Sequence, residues 1–210
     1  MAKYENIRAL AKKQLQTVTE SSDRWKEFLR TAAIAYNYSF PNQLLIYAQN
    51  PTATAVADMD YWNKNAGRRV KRGAYGTAVF DTRANSPRLR YLFDISDTIP
   101  IHEISEALPW AVTDQNWKPV WDKIIVDNHA DSIQSALLMI STSYVAQRSA
   151  MFTTALEKAV DGSSLQWAKP NEQRRLFLQI VTQSCLYMAA LRCGVDTARL
   201  DLSALESVGQ

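Results

Sequence analysis

Apolar side chains recur with a helical period along most of the chain, which predicts a mostly helical protein. The clearest run follows Asp23, where apolar residues fall at positions i, i+3, i+4 and i+7. Its members are Trp25, Phe28, Leu29, Ala32, Ala33 and Tyr36. The same period, with capping and turn residues at the ends, predicts further helices over residues 3–20, 41–49, 58–65, 131–159 and 170–193.

The period changes between residues 68 and 95, where apolar and polar side chains alternate as they do in β-strands. Segments 68–72 and 77–82 are predicted to form a hairpin around a glycine-flanked turn at 73–76. A third strand over 88–95 would direct Leu89, Tyr91 and Phe93 towards the core. The predicted fold class is therefore α+β: mostly helical, with a small antiparallel β-meander at about 68–95 packed on helices.

Residues 96–128 show no regular period. Prolines interrupt the segment, and three tryptophans lie between them: Trp110, Trp117 and Trp121. Three large rings argue against a flexible linker. We expect that the segment either packs on the core as an irregular stretch or forms a docking surface. We predict one domain over 1–127 and a helical C-terminal part over 128–210, packed as one unit. The chain could be a fragment of a longer polypeptide.

Positive charge is concentrated in one part of the chain, although the net charge is only +3. The segment 64–90 contains a single acid, Asp81, so it carries +7 and the remainder of the chain −4. Its basic residues are Lys64, Arg68, Arg69, Lys71, Arg72, Arg83, Arg88 and Arg90. This distribution indicates either a surface that binds an anionic partner or a solvated face that protects an edge strand from aggregation.

Most of these basic residues are arginine, which binds phosphate oxygens through two hydrogen bonds and favours contact with nucleic acid. Backbone N–H groups near Gly73 and Gly76 could approach an anion, and Tyr75 at the turn could stack on a base. The amides of Asn42 and Gln43 could contact nucleic acid or, equally, cap and pack their own helix. The predicted nucleic-acid-binding residues are Arg68, Arg69, Lys71, Arg72, Gly73, Tyr75, Gly76, Arg83, Arg88, Arg90, Asn42 and Gln43.

Several sequence blocks in the first half of the chain occur in an order that is typical of one family. They are YNYSFPNQLLIYAQNPTAT at 36–54, the pair Tyr61-Trp62, GRRVKRGAYGTAVF at 67–80 and RYLFDISDT at 90–98. This half resembles the N-terminal domain of the ArdC family, antirestriction and conjugation-associated proteins of bacterial mobile genetic elements. The resemblance implies binding of single-stranded DNA. It places weight on two sets of residues: Gly67, Arg68, Val70, Lys71, Gly73 and Gly76, and Ser39, Phe40, Asn42, Gln43, Leu44, Leu45 and Ile46.

The chain departs from the ArdC pattern in its second half. That family carries a C-terminal zinc-peptidase-like domain with an H-E-x-x-H helix, which supplies two metal-binding histidines. Here the only His-Glu pair is His102-Glu103, and the position of the second histidine is occupied by Glu106. We therefore expect no metal, no cofactor and no catalytic activity.

The remaining sequence features bear on location. No stretch approaches the roughly 18 apolar residues of a membrane helix, and the N-terminus lacks the core of a signal peptide. Cys185 and Cys193 are eight positions apart on a predicted helix, about 12 Å of rise, which is too far for a disulfide. We expect a cytoplasmic single-stranded-DNA-binding module. The alternative is a protein-interaction domain that binds an acidic host protein or another part of the same polypeptide.

Overall fold

The computed structural model describes residues 2–84, 86–101 and 112–209. It divides into two compact units, Met1–Trp110 and Ala111–Gln210. The sequence placed this boundary at 127/128. The division lies earlier because helix α5 (Trp117–Asp127) packs through Trp121, Ile124 and Ile125 on the core of the second unit. The described chain is mostly helical with few antiparallel strands, so the predicted α+β class is confirmed.

Unit 1 contains helices α1 (Ala2–Val18), α2 (Ser22–Ile34), α3 (Phe40–Gln49) and α4 (Met59–Lys64). Ser21 caps the start of helix α2, because its hydroxyl accepts a hydrogen bond from the Arg24 N–H at 3.3 Å. Pro41 occupies the first turn of α3, where its missing N–H costs no hydrogen bond. Helices α1 and α2 both pack against α3, which is therefore the central helix of this unit.

Two small antiparallel sheets accompany these helices. The first has the strand order β1 (Val56–Ala57), β4 (Leu89–Asp94) and β3 (Thr77–Phe80). The second pairs β2 (Arg68–Val70) with β5 (Thr98–Pro100). The predicted hairpin between 77–82 and 88–95 is thus present, whereas the predicted pairing of 68–72 with 77–82 is wrong. The short strands β1 and β5 were not predicted.

The core of unit 1 lies between α3 and the three-stranded sheet. Leu45, Ile46, Val79 and Leu92 are fully buried there. Strand β4 turns Leu92 inwards and leaves Tyr91 39% exposed, so the expected inward face of this strand is reversed. Alternation alone could not choose the face, because both sides of β4 carry large side chains.

Unit 2 consists of α5, α6 (Ile133–Gln147), α7 (Ser149–Ala159) and α8 (Pro170–Arg192), followed by short 3₁₀ turns. The single helix predicted over 131–159 is two helices, separated at Arg148, whose φ of −110° and ψ of 11° are not helical. Helix α6 is capped by Ser132, whose hydroxyl accepts a hydrogen bond from the Ser135 N–H at 3.2 Å. Helix α5 occupies part of the segment that was predicted to be irregular.

Candidate nucleic-acid interface

Strand β2 carries the densest part of the basic segment and pairs with β5. Arg68, Arg69 and Val70 lie opposite Pro100, Ile99 and Thr98. The pairing continues beyond the strands, because the Lys71 N–H donates to the Asp97 carbonyl and the Ile101 N–H to the Gly67 carbonyl, each at 2.8 Å. Arg68 and Arg69 are consecutive on β2, so their side chains leave opposite faces of this ribbon, and Lys71 and Arg72 follow directly after the strand. We refer to Arg68, Arg69, Lys71 and Arg72 as the open cluster.

Two members of the open cluster are held by neutral acceptors. The Arg68 Nε donates to the Thr98 hydroxyl at 2.7 Å, and the Lys71 Nζ donates to the Ser96 carbonyl at 2.7 Å. A hydroxyl or a carbonyl fixes the position of a cation without cancelling its charge. These two hydrogen bonds therefore restrict the directions of both side chains and involve no carboxylate.

The other two members, Arg69 and Arg72, are exposed to solvent. Val70 faces the opposite way, where it packs against the cluster around the fully buried Trp62. Within the part of the chain that the structure describes, neither guanidinium forms an ion pair or a side-chain hydrogen bond. Their hydrogen-bonding capacity is therefore open to an external anion.

Tyr75 follows the open cluster in the sequence and is 96% exposed, as predicted, although it comes just after a turn at residues 71–74 and not at the tip of the predicted hairpin. The turn is closed by the Ala74 N–H, which donates to the Lys71 carbonyl at 3.2 Å. Gly73 occupies its third position with a φ of +84°, which a non-glycine residue rarely adopts. A ring this exposed contributes little to the core, so its position is suited to stacking on a ligand.

Gly76 has a packing role, which corrects the expectation that it opens the backbone to an anion. A Cβ added at Gly76 would lie 2.8 Å from the Tyr91 Cβ and 3.1 Å from the ring of Phe93. The absent side chain lets the chain pass closely over β4. At Gly73, in contrast, a Cβ would have no neighbour within 4 Å, so glycine there serves the turn alone.

Two of the predicted phosphate-binding arginines, Arg83 and Arg90, are paired with carboxylates of the protein, and we call them the closed cluster. Asp58 caps α4 by accepting from the Tyr61 N–H at 2.9 Å. The same carboxylate pairs with Arg90 at 3.5 Å and with Arg83 at 3.8 Å. Arg83 also pairs with Asp81 at 3.6 Å. These carboxylates compete with a phosphate for both arginines, so we expect Arg83 and Arg90 to contribute less to an interface than the open cluster does.

Arg90 is the more enclosed member, because its side chain is only 21% exposed. Its guanidinium lies 5.3 Å from the centre of the Tyr38 ring, a cation–π arrangement. Burial raises the pKa of the Tyr38 hydroxyl, although the positive charge of Arg90 acts in the opposite direction. This hydroxyl therefore stays protonated and donates to the Val56 carbonyl at 3.1 Å.

Arg88 is exposed but lies apart from the open cluster. It lines a shallow pocket of about 420 Å³ beside Tyr4, Phe80 and Thr82, at the end of β3 that is remote from Tyr75. The four residues of β3 span roughly 13 Å between these two ends. A ligand held by Tyr75 would reach Arg88 only if it extended along the strand.

The predicted contact by Asn42 is wrong, because this side chain is 1% exposed and fully bonded inside the protein. Its amide donates to the Phe80 carbonyl and accepts from the Phe80 N–H, each at 2.9 Å. Gln49, seven residues later on the same face of α3, makes the same pair of bonds with Ala78 at 2.9 and 3.0 Å. Gln43 is half-buried and donates to the Ala35 carbonyl at 3.2 Å, which favours its packing role.

These two amides explain why β2 does not pair with β3. One edge of β3 pairs with β4, and Asn42 and Gln49 occupy the backbone groups of the other edge. No free edge is left for β2, which pairs with β5 instead. The spacing of seven places both amides on one face of α3 and was a signal in the sequence, but it does not reveal which backbone they meet.

Asp94 is a second polar residue whose role the sequence did not reveal. The carboxylate is 4% exposed and accepts N–H groups from Thr54 at 2.7 Å, Ala55 at 3.0 Å and Ser96 at 2.9 Å. Burial by itself would raise the pKa of Asp94, but these hydrogen bonds outweigh it and leave the pKa lowered. The ionised carboxylate thus fixes the loop before β1 against the end of β4.

The residues that the structure describes contain no group of three or more His, Cys, Asp or Glu side chains that could hold a metal ion. The sequence His102-Glu103 and Glu106 lie outside the described residues. Cys185 and Cys193 are free thiols, and burial raises the pKa of both.

Comparison of the chain with protein-family models, with curated proteins and with solved structures gave no match. The resemblance to the ArdC N-terminal domain therefore stays a prediction. Of the helices described here, none combines the length and the apolar character that crossing a lipid bilayer requires.

Proposed function

We propose that the chain is a single-stranded-DNA-binding module in which the open cluster binds phosphates and Tyr75 stacks on a base. The observation that carries this proposal is the position of a 96% exposed ring beside Arg69 and Arg72, whose charges are not balanced within the described protein. Cationic side chains along a backbone path and an exposed aromatic ring are the two features that single-strand binders combine.

A single strand suits this surface better than a duplex. The ring of Tyr75 projects from a turn, and stacking requires a base whose face is not already covered by its neighbours. The cations of the ribbon can contact phosphates. The ribbon itself contains no helix that could enter the major groove of a duplex and read its bases. Weak sequence preference is therefore expected. The role in antirestriction or conjugation rests on the ArdC resemblance alone.

Fluorescence anisotropy with labelled oligonucleotides tests the proposal. The full chain should bind a single-stranded oligonucleotide more tightly than a duplex of the same sequence. The affinity should fall steeply between low and moderate salt, because phosphate contacts release counterions. Binding that prefers the duplex, or that does not depend on salt, would contradict the proposed mode of binding.

A second candidate function is the binding of an acidic protein through the same ribbon. It is favoured by Ile99 on β5 and Ile101 just after it, which are 39% and 47% exposed and could serve as apolar anchors beside the cations. Trp121, in contrast, is half-buried and donates to the Cys193 carbonyl at 2.7 Å, so it is not a docking residue. Recovery of a stoichiometric acidic partner, without oligonucleotide binding at low salt, would favour this function.

A further inference from the structure

A groove lies on the second unit between α6 and α8. The two helices run antiparallel, because Ile133 and Leu137 near the start of α6 pack with Leu186 and Ala190 near the end of α8. The groove between them and the segment after α8 has a volume of about 590 Å³. This volume falls within the range of about 300–1,000 Å³ that is typical of small-molecule sites.

Leucine side chains form most of the apolar surface of this groove. They are Leu138 from α6, Leu178 and Leu186 from α8, and Leu200 from the following segment. Leu138 is 48% exposed although it stands beside the others. Thr142 and Thr182 add hydroxyl groups at the sides. The other lining residues are polar or charged, so the groove suits an elongated ligand that combines an apolar chain with a polar head group.

The charges at the two ends of the groove differ. Arg175 lies about 16 Å along α8 from Leu186 and donates to the Gln179 side chain at 3.1 Å. Among the described residues it forms no ion pair, so its charge is not balanced. At the other end, Arg199 pairs with Asp196 at 3.5 Å and Asp201 is adjacent, so carboxylates offset the cation there.

We propose that this groove binds a fatty-acid-like carboxylate, with its chain along the leucines and its carboxylate on Arg175. A single unpaired guanidinium matches a single carboxylate, because the two planar groups form a pair of parallel hydrogen bonds. The leucine strip leads away from that cation, as an alkyl chain leads away from its head group. This ligand site is separate from the open cluster and does not depend on the proposed function.

Titration of the full chain with dodecanoate below its micelle concentration tests the site. Calorimetry should give saturable binding of one molecule, and leucine methyl resonances of the groove should shift in NMR spectra. Arg175→Gln should weaken binding about tenfold, the effect of removing one charged hydrogen-bonding partner. Arg174→Gln is the matched control, because Arg174 is exposed on the same helix and does not line the groove.

A second pair of variants tests the apolar part of the site. Leu138→Gln should reduce dodecanoate binding about tenfold or more, since it replaces apolar surface by an amide. Met139→Gln should leave binding unchanged, because Met139 is 49% exposed on the same helix but does not line the groove. Circular dichroism establishes that each variant is folded.

The proposal is overturned if the folded wild-type chain shows no saturable binding of dodecanoate. It is equally overturned if uncharged dodecanol binds as tightly, or if Arg174→Gln weakens binding as much as Arg175→Gln. The proposal is supported if Arg175→Gln and Leu138→Gln lose affinity for dodecanoate while Arg174→Gln and Met139→Gln keep it.

Discussion

The open and closed clusters contain the same kind of side chain in neighbouring parts of the sequence, but they have different surroundings. Arg69 and Arg72 are exposed and have no carboxylate partner in the described chain. Arg83 and Arg90 share the carboxylate of Asp58. A count of basic residues in the segment therefore overstates the charge that is available to a partner.

The difference arises from a residue that lies outside the basic segment. Asp58 precedes α4, and its main local role is to cap that helix. The fold brings the β3–β4 hairpin against this cap, so one carboxylate serves both the helix and two arginines. Strand β2 carries its cations on a ribbon whose nearest acceptors are a hydroxyl and a carbonyl. Available charge is thus decided by tertiary neighbours.

Reversing charge in the open cluster should have the largest effect on binding. Arg69→Glu combined with Arg72→Glu should weaken oligonucleotide affinity about a hundredfold at low salt and reduce the salt dependence, because phosphate contacts are lost. Both side chains are exposed, so the free energy of unfolding should change little. Anisotropy titration and urea unfolding measure the two quantities. Retention of wild-type affinity would remove the open cluster from the interface.

Asp94→Asn should have the largest effect on stability. The substitution replaces an ionised acceptor of three N–H groups, and we expect a loss of about 2 kcal/mol in the free energy of unfolding. Because the pKa of Asp94 is lowered in the folded protein, its stabilisation is complete above about pH 4, the ordinary carboxyl range. It is lost as the pH falls through the lowered value.

Urea unfolding between pH 7 and pH 3 checks this expectation, with the wild type losing stability faster than Asp94→Asn on the acid side. Equal acid slopes would show that Asp94 does not provide the pH dependence.

Tyr75→Ala should weaken single-stranded oligonucleotide binding about tenfold, within the 1–3 kcal/mol that stacking on one base contributes. Tyr75→Phe retains the ring and should bind as the wild type does. Duplex binding should be insensitive to both substitutions. If Tyr75→Phe lost as much affinity as Tyr75→Ala, the hydroxyl rather than the ring face would be the contacting group.

The smallest effect is expected at Arg83. Arg83→Gln should change oligonucleotide affinity less than twofold, because Asp58 and Asp81 already neutralise this side chain. The Arg83 side chain is 69% exposed, so the substitution should lower the free energy of unfolding by less than about 1 kcal/mol. Arg72→Gln is the matched comparison and should weaken binding more. Equal losses in the two variants would end the distinction between the clusters.

Local signals were sufficient for most elements but not for their pairing. Helix α2 follows from its apolar stripe and from Ser21 as its cap, and both are encoded within a few residues. The partner of β2 was not predictable in the same way, since Asn42 and Gln49 are remote from it in sequence. Exposure of Tyr75 followed from its turn, whereas the packing of Gly76 against Phe93 required the neighbouring strand.

The sequence by itself determined the helical period, the turn at Gly73 and the concentration of arginine in one segment. These properties depend on the order of neighbouring residues and on backbone conformation. Tertiary structure decided which guanidinium groups remain available, because neutralisation of Arg90 requires the carboxylate of Asp58 at 3.5 Å. Ion pairs and hydrogen bonds depend on the distances between groups in the folded protein. The sequence shows which residues are charged but does not give those distances.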